Sequence, residues 1–461
     1  MQPLGAVYFA FAAIVCVLYW TCCCNRSGRL SILLLANVFF LAKLGLFYLP
    51  VILGAAAVDF TVGQGLQRLA RPQRVLRGCL LGASLTVNLG LLLATRLIPL
   101  TLSPRYAWVL PLSLSFYCFQ SLTYTIDAYR GEGRITGSLL AYLAAASFFP
   151  SIVAGPINRM SDLLGKLERP FGLSREQCGR AVLLIGTGLI KKLLIADFLA
   201  NNLVNRVFDT PSLYSGAEVL VGVWGYALQL YYDFSGYTDL AMGVAQWFGI
   251  ELPDNFRRPY WSASLREFWK RWHITFSSWL KDYLYRSLPR PKGWSGAIYF
   301  NLILTMMLSG LWHGLSWTFL VWGTLHGVGL AAGRFVYGRR KAGEAAPRPS
   351  VFRHSLFVFL TFQYVCLAWL FFRAASLREA GAVLTRIASG TLSLANITLP
   401  VLAMLGVAVL GHALPEPWYQ WLEDRLGTAP FYLQGAALAA IVLAIQWLSG
   451  RGAAPFVYGG F

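Results

Sequence analysis

Charge is the first thing this chain lacks. Of its 461 residues, 13% are Asp, Glu, Lys or Arg, about half the roughly 25% of an ordinary soluble domain. Another 57% are hydrophobic, and the two figures together argue against a water-soluble fold. Negative charge is scarcer still, with 20 Asp and Glu against 39 Lys and Arg and a net charge of +19. The eight cysteines show no Cys-x-x-Cys and no metal-ligand spacing, so neither a disulfide framework nor a metal centre is expected. They read as free thiols, with Cys22, Cys23 and Cys24 clustered at a membrane edge. Gly186-Thr187-Gly188 has no third glycine and no preceding strand, which excludes a dinucleotide fingerprint. There is no Gly-x-Ser-x-Gly elbow for a serine nucleophile, no internal repeat and no low-complexity tract.

What the chain has in abundance is apolar sequence. Stretches long enough to cross a bilayer, about 20 residues each, recur from Leu4 to Ser449. At roughly 30 residues per span with its connection, there is room for about ten to twelve spans and no separate soluble domain. The expectation is an all-α polytopic membrane protein in which residues 1–461 form one integral-membrane domain. Its positive charge falls on loops, as orientation in a membrane requires, and is not a nucleic-acid signal. The first run, Ala6 to Trp20, follows no Lys or Arg and precedes no small-residue cleavage pattern, so a retained span is expected. Basic loops at Arg26 to Arg29, Arg68 to Arg77 and Arg130 to Arg134 are separated by even numbers of crossings. All three then face the cytoplasm, and the N-terminus faces out.

Three stretches depart from plain spans. Leu139 to Ile157 is apolar but interrupted by Pro150, Gly155 and Pro156, the pattern of a re-entrant or broken segment. Lys191-Lys192 and Asp197 read as snorkelling side chains and a surface pair at a span end, with a proton relay as the other reading. From Asp254 to Lys292, nine cations, among them Arg266, Lys270, Arg271 and Lys281, are interleaved with aromatics. There Leu265, Phe268, Trp269, Trp272, Phe276, Trp279, Leu280 and Tyr283 recur at three- and four-residue spacing. That periodicity predicts an amphipathic helix lying along the interface or dipping from it into the protein. Its cations can hold a phosphate-bearing substrate or anchor to anionic headgroups.

Histidine is rare, with five in the chain, and His273, His313 and His326 all stand beside tryptophans. His313 lies in Leu308-Ser309-Gly310-Leu311-Trp312-His313-Gly314, an apolar setting where an ionisable group is costly and marks a candidate functional residue. A core histidine bonded to a neighbouring carbonyl is the other reading, for it and for His326 in Trp322-Gly323-Thr324-Leu325-His326-Gly327. His273 closes Phe268-Trp269-Lys270-Arg271-Trp272-His273. The segment Tyr231-Tyr232-Asp233-Phe234-Ser235-Gly236-Tyr237-Thr238-Asp239 carries two carboxylates about 1.7 helical turns apart. On a continuous helix they face different ways.

These motifs resemble the membrane-bound O-acyltransferase family, and within it the bacterial branch that modifies extracytoplasmic polysaccharides. The resemblance is carried, in the family's order, by Phe116 to Arg130, Phe149 to Arg159, Asp233 to Gly243, Glu267 to Tyr285, Leu311 to His326, and Pro455-Phe456-Val457-Tyr458. The segment Phe234 to Ala241 is more similar to membrane subunits of alginate-type O-acetylation. After Leu284-Tyr285, however, Arg286-Ser287-Leu288-Pro289-Arg290-Pro291-Lys292 replaces the Gly-Gly-Asn-Arg turn usual there, and Gly155-Pro156-Ile157-Asn158-Arg159 leans toward the branch that carries D-alanine to teichoic acids.

The resemblance implies a helical bundle with re-entrant and interfacial helices, thinned around a central funnel. It implies His313 as the catalytic histidine and His273 as a second family residue. Trp269, Lys270, Arg271, Trp272, Trp312, Asp233, Asp239 and His326 are the candidate substrate contacts. No bound cofactor is implied. A thioester donor, acetyl-CoA or an acyl carrier protein, would arrive from the cytoplasm, and a polysaccharide hydroxyl, directly or through a periplasmic acyltransferase partner, from outside. The implied site of action is the bacterial cytoplasmic (inner) membrane, among its lipids. A transporter or flippase, with buried histidines as proton-coupling groups, and a scaffold for polysaccharide export are the readings from other classes.

Overall fold

The computed structural model describes residues 6–22, 25–46, 48–101, 112–168, 172–337 and 350–449. Residues 1–5, Cys23, Cys24, residues 102–111, residues 338–349 and the motif at residues 455–458 lie outside the described residues. Regular structure is helical throughout, and among the described residues no strand occurs. In lipid, an open chain satisfies its backbone polar groups only as helix. Arg26–Leu44, Leu49–Arg68, Arg74–Ala94, Trp317–Val336 and Val351–Arg373 are each long and apolar enough to cross a membrane. A sixth span follows if Leu399–Ala413 and Pro417–Thr428 form one bent crossing. The chain is a multi-pass, all-α membrane protein.

Beyond these five helices, part of the apolar sequence in which about ten to twelve spans were expected is not long continuous helix. The Leu139–Ala146 helix has 8 residues. Ala297–His313 has 17, a rise of about 26 Å, short of a hydrocarbon core about 30 Å thick. After Arg175–Leu189 the helix widens into π-turns at Ile190–Ala196 and Ala200–Val204. The described residues form two compact units, one from Met1–Gly186, Tyr237–Pro253 and Trp421–Ala439, the other from Thr187–Gly236, Asp254–Gln420 and Ala440–Phe461.

In the first unit the broken segment is held as the sequence requires. Asn37 donates to the Ala144 carbonyl at 3.0 Å and to Ser147 Oγ at 3.2 Å, and its Oδ1 accepts the Phe149 N–H at 2.9 Å. Gln120 donates to the Ala145 carbonyl at 2.8 Å. Protein groups thus replace the helix bonds that Pro150 interrupts. Asp59, fully buried, accepts from Ser84 Oγ and Ser121 Oγ, each at 2.6 Å, and from Asn88 Nδ2 at 2.9 and 3.0 Å. Arg77, expected as an orienting loop charge, is buried. Its Nη1 donates to the carbonyls of Leu66 at 2.6 Å and Leu69 at 3.0 Å, and its Nη2 to those of Ala128 at 3.2 Å and Tyr129 at 2.8 Å. One guanidinium therefore caps the C-terminal ends of the Tyr48–Arg68 and Leu112–Arg130 helices, where carbonyls lack helical partners and the dipole favours a cation.

In the second unit the Ala297–His313 and Trp317–Tyr337 helices form a hairpin closed by Gly314-Leu315-Ser316. A Cβ at Gly310 would lie 2.2 Å from the Phe319 carbonyl oxygen, and one at Gly323 would lie 2.3 Å from that of Met306. Only glycine permits this approach, and it sets His313 at the turn of the hairpin.

The Arg77 staple makes a stability prediction. Arg77→Met leaves four carbonyls without the fork and should cost at least about 3 kcal/mol, whereas Arg77→Lys keeps the charge but reaches fewer acceptors and should cost about half as much. Thermal unfolding in detergent measures both. An unchanged melting temperature in Arg77→Met would contradict the staple.

Candidate functional site

The basic, aromatic segment is built around a break. Ser264 caps the Leu265–Arg271 helix by accepting the Glu267 N–H at 3.2 Å, while Glu267 Oε2 accepts the Ala263 N–H at 2.9 Å, a reciprocal capping arrangement. The helix stops after Arg271. Trp272 is extended and His273 is left-handed, with φ 42 and ψ 55, before helix resumes at Ile274–Trp279 and runs into the π-turn Leu280–Tyr285. The continuous amphipathic helix that the periodicity predicts is therefore interrupted at His273. The freed backbone groups are taken up from residues 255–257. The Arg257 N–H donates to the Arg271 carbonyl, and the Ile274 N–H to that of Asn255, both at 2.9 Å. A left-handed non-glycine residue costs roughly 1–2 kcal/mol, and this pairing holds it in place.

Asn255 also orients the ring. Its Oδ1 accepts from Thr275 Oγ1 at 2.9 Å and the Thr275 N–H at 3.2 Å, and it lies 3.0 Å from His273 Nδ1. An amide oxygen can only accept, so Nδ1 carries the proton and Nε2 the lone pair. The ring stacks on Phe276 at 5.0 Å and meets the edge of Phe234 at 4.7 Å.

His313, 3% exposed, ends its helix inside an aromatic enclosure. Ring centroids stand at 4.5 Å from Trp312, 4.8 Å from Phe372, 5.1 Å from Trp322 and 6.0 Å from Phe319. Phe276 lies 6.4 Å from His313 and 5.0 Å from His273, so one phenyl ring contacts both of the histidines that the sequence singles out. His326 continues the wall. Its Nδ1 accepts the Trp269 indole N–H at 3.3 Å, and its ring stands 5.1 Å from Trp322. Trp272 packs on Trp369 at 4.9 Å and on Phe268 at 5.7 Å. Stacked and edge-to-face aromatic pairs add about 0.5–1.5 kcal/mol each beyond burial, and together these rings make a tightly packed, buried wall.

The other candidates separate from this group. Lys270 is exposed, and Arg271, 33% exposed, pairs with Glu267 at 2.6 Å. The Gly216–Gln246 helix is continuous, so Asp233 and Asp239 do face different ways. Asp239 is half-buried and belongs to the first unit, while Asp233 is buried in the second. Asp233 is ion-paired with Lys192 at 2.6 Å, and Lys192 with Asp197 at 2.8 Å. This overturns the reading of Lys192 and Asp197 as a snorkelling cation and a surface pair, since their side chains are 1% and 9% exposed. Sequence reasoning placed Phe276 on the apolar face of its segment and missed Asn255, Trp322, Trp369 and Phe372. Of these, Trp322 had a usable signal, its position one helical turn before His326.

Comparison with known proteins gives this arrangement a context. A model described as "MBOAT, membrane-bound O-acyltransferase family" matches residues 132–372, a range that includes all ten candidate residues. The protein named "Probable alginate O-acetylase AlgI" in Azotobacter vinelandii is 39% identical over 306 residues, 66% of this chain and 58% of that protein. The protein of the same name in Pseudomonas syringae pv. tomato is 34% identical over 431 residues, 90% of this chain and 80% of the other. The "Peptidoglycan O-acetyltransferase" of Helicobacter pylori is 31% identical over 389 residues, 76% of this chain and 72% of that protein. The chain thus spans little more than half of the Azotobacter protein and most of the other two.

The enclosure of His273 has a measurable consequence. Its segment lies outside the membrane-spanning helices, and burial pushes the ring down to about 3 from an ordinary value near 6.5. Between those values the unfolded chain binds a proton that the folded chain refuses, so stability falls as pH drops from about 6.5 toward about 3. His273→Asn tolerates the left-handed backbone and removes the titration. The loss of melting temperature between about pH 7 and about pH 5 should be smaller in this variant than in wild type, and an equal loss would contradict the neutral, enclosed ring.

Proposed function

The chain belongs to the membrane-bound O-acyltransferase family, and on that premise we propose that it moves an acyl group, acetyl in the first place, from a cytoplasmic thioester to an extracytoplasmic polysaccharide. The donor is acetyl-CoA or an acyl carrier protein. The acceptor is a polysaccharide hydroxyl, reached directly or through an acyltransferase partner outside. The protein acts in the bacterial cytoplasmic membrane with its N-terminus outward. The names of the relatives, alginate O-acetylase and peptidoglycan O-acetyltransferase, support the acetyl group and an envelope polymer as acceptor. The observation that carries the reading is the buried enclosure in which Phe276 touches both His313 and His273.

In this reading His313 is the general base. A ring nitrogen takes the acceptor hydroxyl's proton as the oxygen attacks the thioester carbonyl, and the tetrahedral intermediate expels the thiolate. The imidazolium returns the proton to the leaving sulfur, so the ring ends neutral and no covalent enzyme intermediate is needed. His273, fixed by Asn255 with its lone pair on Nε2, positions donor or acceptor from the far side of Phe276. Lys270 and Arg271 lie on the half-exposed side of the same segment, where they meet the phosphates of a donor. Trp269, Trp272, Trp312 and His326 shape the wall that excludes water, which otherwise competes for the thioester.

The test is single-turnover acyl transfer by folded protein in nanodiscs. His313→Ala and His313→Gln should each lose about 10²- to 10⁴-fold in rate with melting temperature near wild type, because an amide hydrogen-bonds but does not take the proton. A variant retaining more than about a tenth of the wild-type rate, a loss under about 1.4 kcal/mol, contradicts the base role. Turnover by the purified wild type would exclude the transporter and scaffold readings. Transfer of D-alanine in place of acetyl would move the chain to the D-alanyl branch.

A further inference from the structure

The segment Tyr231 to Asp239 has no part in the chemistry above, yet Asp233 to Gly236 makes three contacts in succession within the second unit. Asp233, 1% exposed, pairs with Lys192, also 1% exposed, at 2.6 Å, and Lys192 holds Asp197 at 2.8 Å. Phe234, fully buried, meets the His273 ring edge-on at 4.7 Å with an interplanar angle of 87°. Gly236 lies so close to the preceding helical stretch that a Cβ there would come 2.9 Å from the Gly188 carbonyl oxygen and 3.1 Å from the Lys192 amide nitrogen. Lys192 stands in the π-turn Ile190–Ala196, and such widened turns are frequent at functional sites.

Successive residues on a helix point about 100° apart, so Asp233 and Phe234 face different neighbours from one rigid backbone. An ion pair this dry is held tightly, because separating the charges would leave the Asp233 carboxylate buried without its cation. The clamp therefore fixes the rotation and depth of the Gly216–Gln246 helix at this level, and with them the place of the Phe234 ring. His273 is bounded on one side by the Asn255 hydrogen bond, on another by the Phe276 face and on a third by the Phe234 edge. Of these three supports, Phe234 is the one set from outside the 254–279 segment.

We propose that Asp233 is a positioning residue, whose ion pair with buried Lys192 sets the Phe234 ring against His273 and so fixes the His273 ring for catalysis. The consequence for turnover rests on the acyltransfer reading, while the effect on His273 does not. Asp233 acts on the site through Phe234 and touches no reacting atom.

The experiment uses the full chain in nanodiscs with labelled histidine, the His273 resonance being assigned by its loss in His273→Asn. Phe234→Leu removes the ring current and should move that resonance. Asp233→Asn leaves Lys192 paired with Asp197 and should move it too. Gly236→Ala, which changes no charge but pushes the helix off the Gly188 carbonyl, should do the same if Asp233→Asn folds poorly. The two clamp variants should also lower the single-turnover rate about tenfold with the donor's KM unchanged, the scale expected for a small misplacement. Combining Asp233→Asn with Phe234→Leu should cost no more than the worse of the two alone, because they act through one element. A His273 resonance that moves in Phe234→Leu but in neither clamp variant overturns the proposal. So does a rate per folded molecule unchanged in both. If the wild type transfers no acyl group, the functional reading fails, and the resonance alone decides the positioning.

Discussion

A backbone polar group that leaves a helix away from water must find its partner inside the protein, and this structure depends on how that requirement is met. Where the chain runs as plain apolar helix the requirement is met automatically. Where it breaks, a specific side chain steps in: Asn37 at Ser147 and Phe149, Arg77 at two helix ends, Asn255 at His273. The candidate site lies at one of these breaks and at the end of the Ala297–His313 helix. Broken helix is costly, and it is also a means by which side chains are aimed inward.

Enclosure follows from the same requirement. His313 and His326 bring nitrogen atoms into a region with little water, and the side chains around them are large rings that exclude water without themselves demanding many partners. Trp269 shows the economy of the arrangement, since its ring packs against Trp322 while its N–H donates to His326 Nδ1. A thioester bound there would be shielded from hydrolysis. In the proposed reaction, a hydroxyl approaching His313 would meet a ring held on several sides by aromatic packing.

Much of this was legible in the sequence. Hydrophobic runs located the long helices, and Pro150 with Gly155 and Pro156 marked the broken segment. A histidine in an apolar setting pointed to His313, and the three- and four-residue spacing brought Trp269 and Trp272 to the buried face. What escaped was set by partners far along the chain. The periodicity from Leu265 to Tyr283 is genuinely helical, and nothing local announces that residues 255–257 will pair with its backbone and hold His273 left-handed. Lys192 follows another lysine near a span end, the usual context of a snorkelling side chain, and its burial is made tolerable by Asp197 together with Asp233, some forty residues on.

The central claim, that the enclosed His313 serves acyl transfer to an envelope polymer, is tested most directly in cells. Mass spectrometry of the surface polysaccharide would compare cells carrying the wild-type chain, cells lacking it and cells carrying His313→Gln at equal protein level. The account predicts O-linked acyl esters, acetyl in the first place, with the wild type alone. The same esters in all three would contradict it.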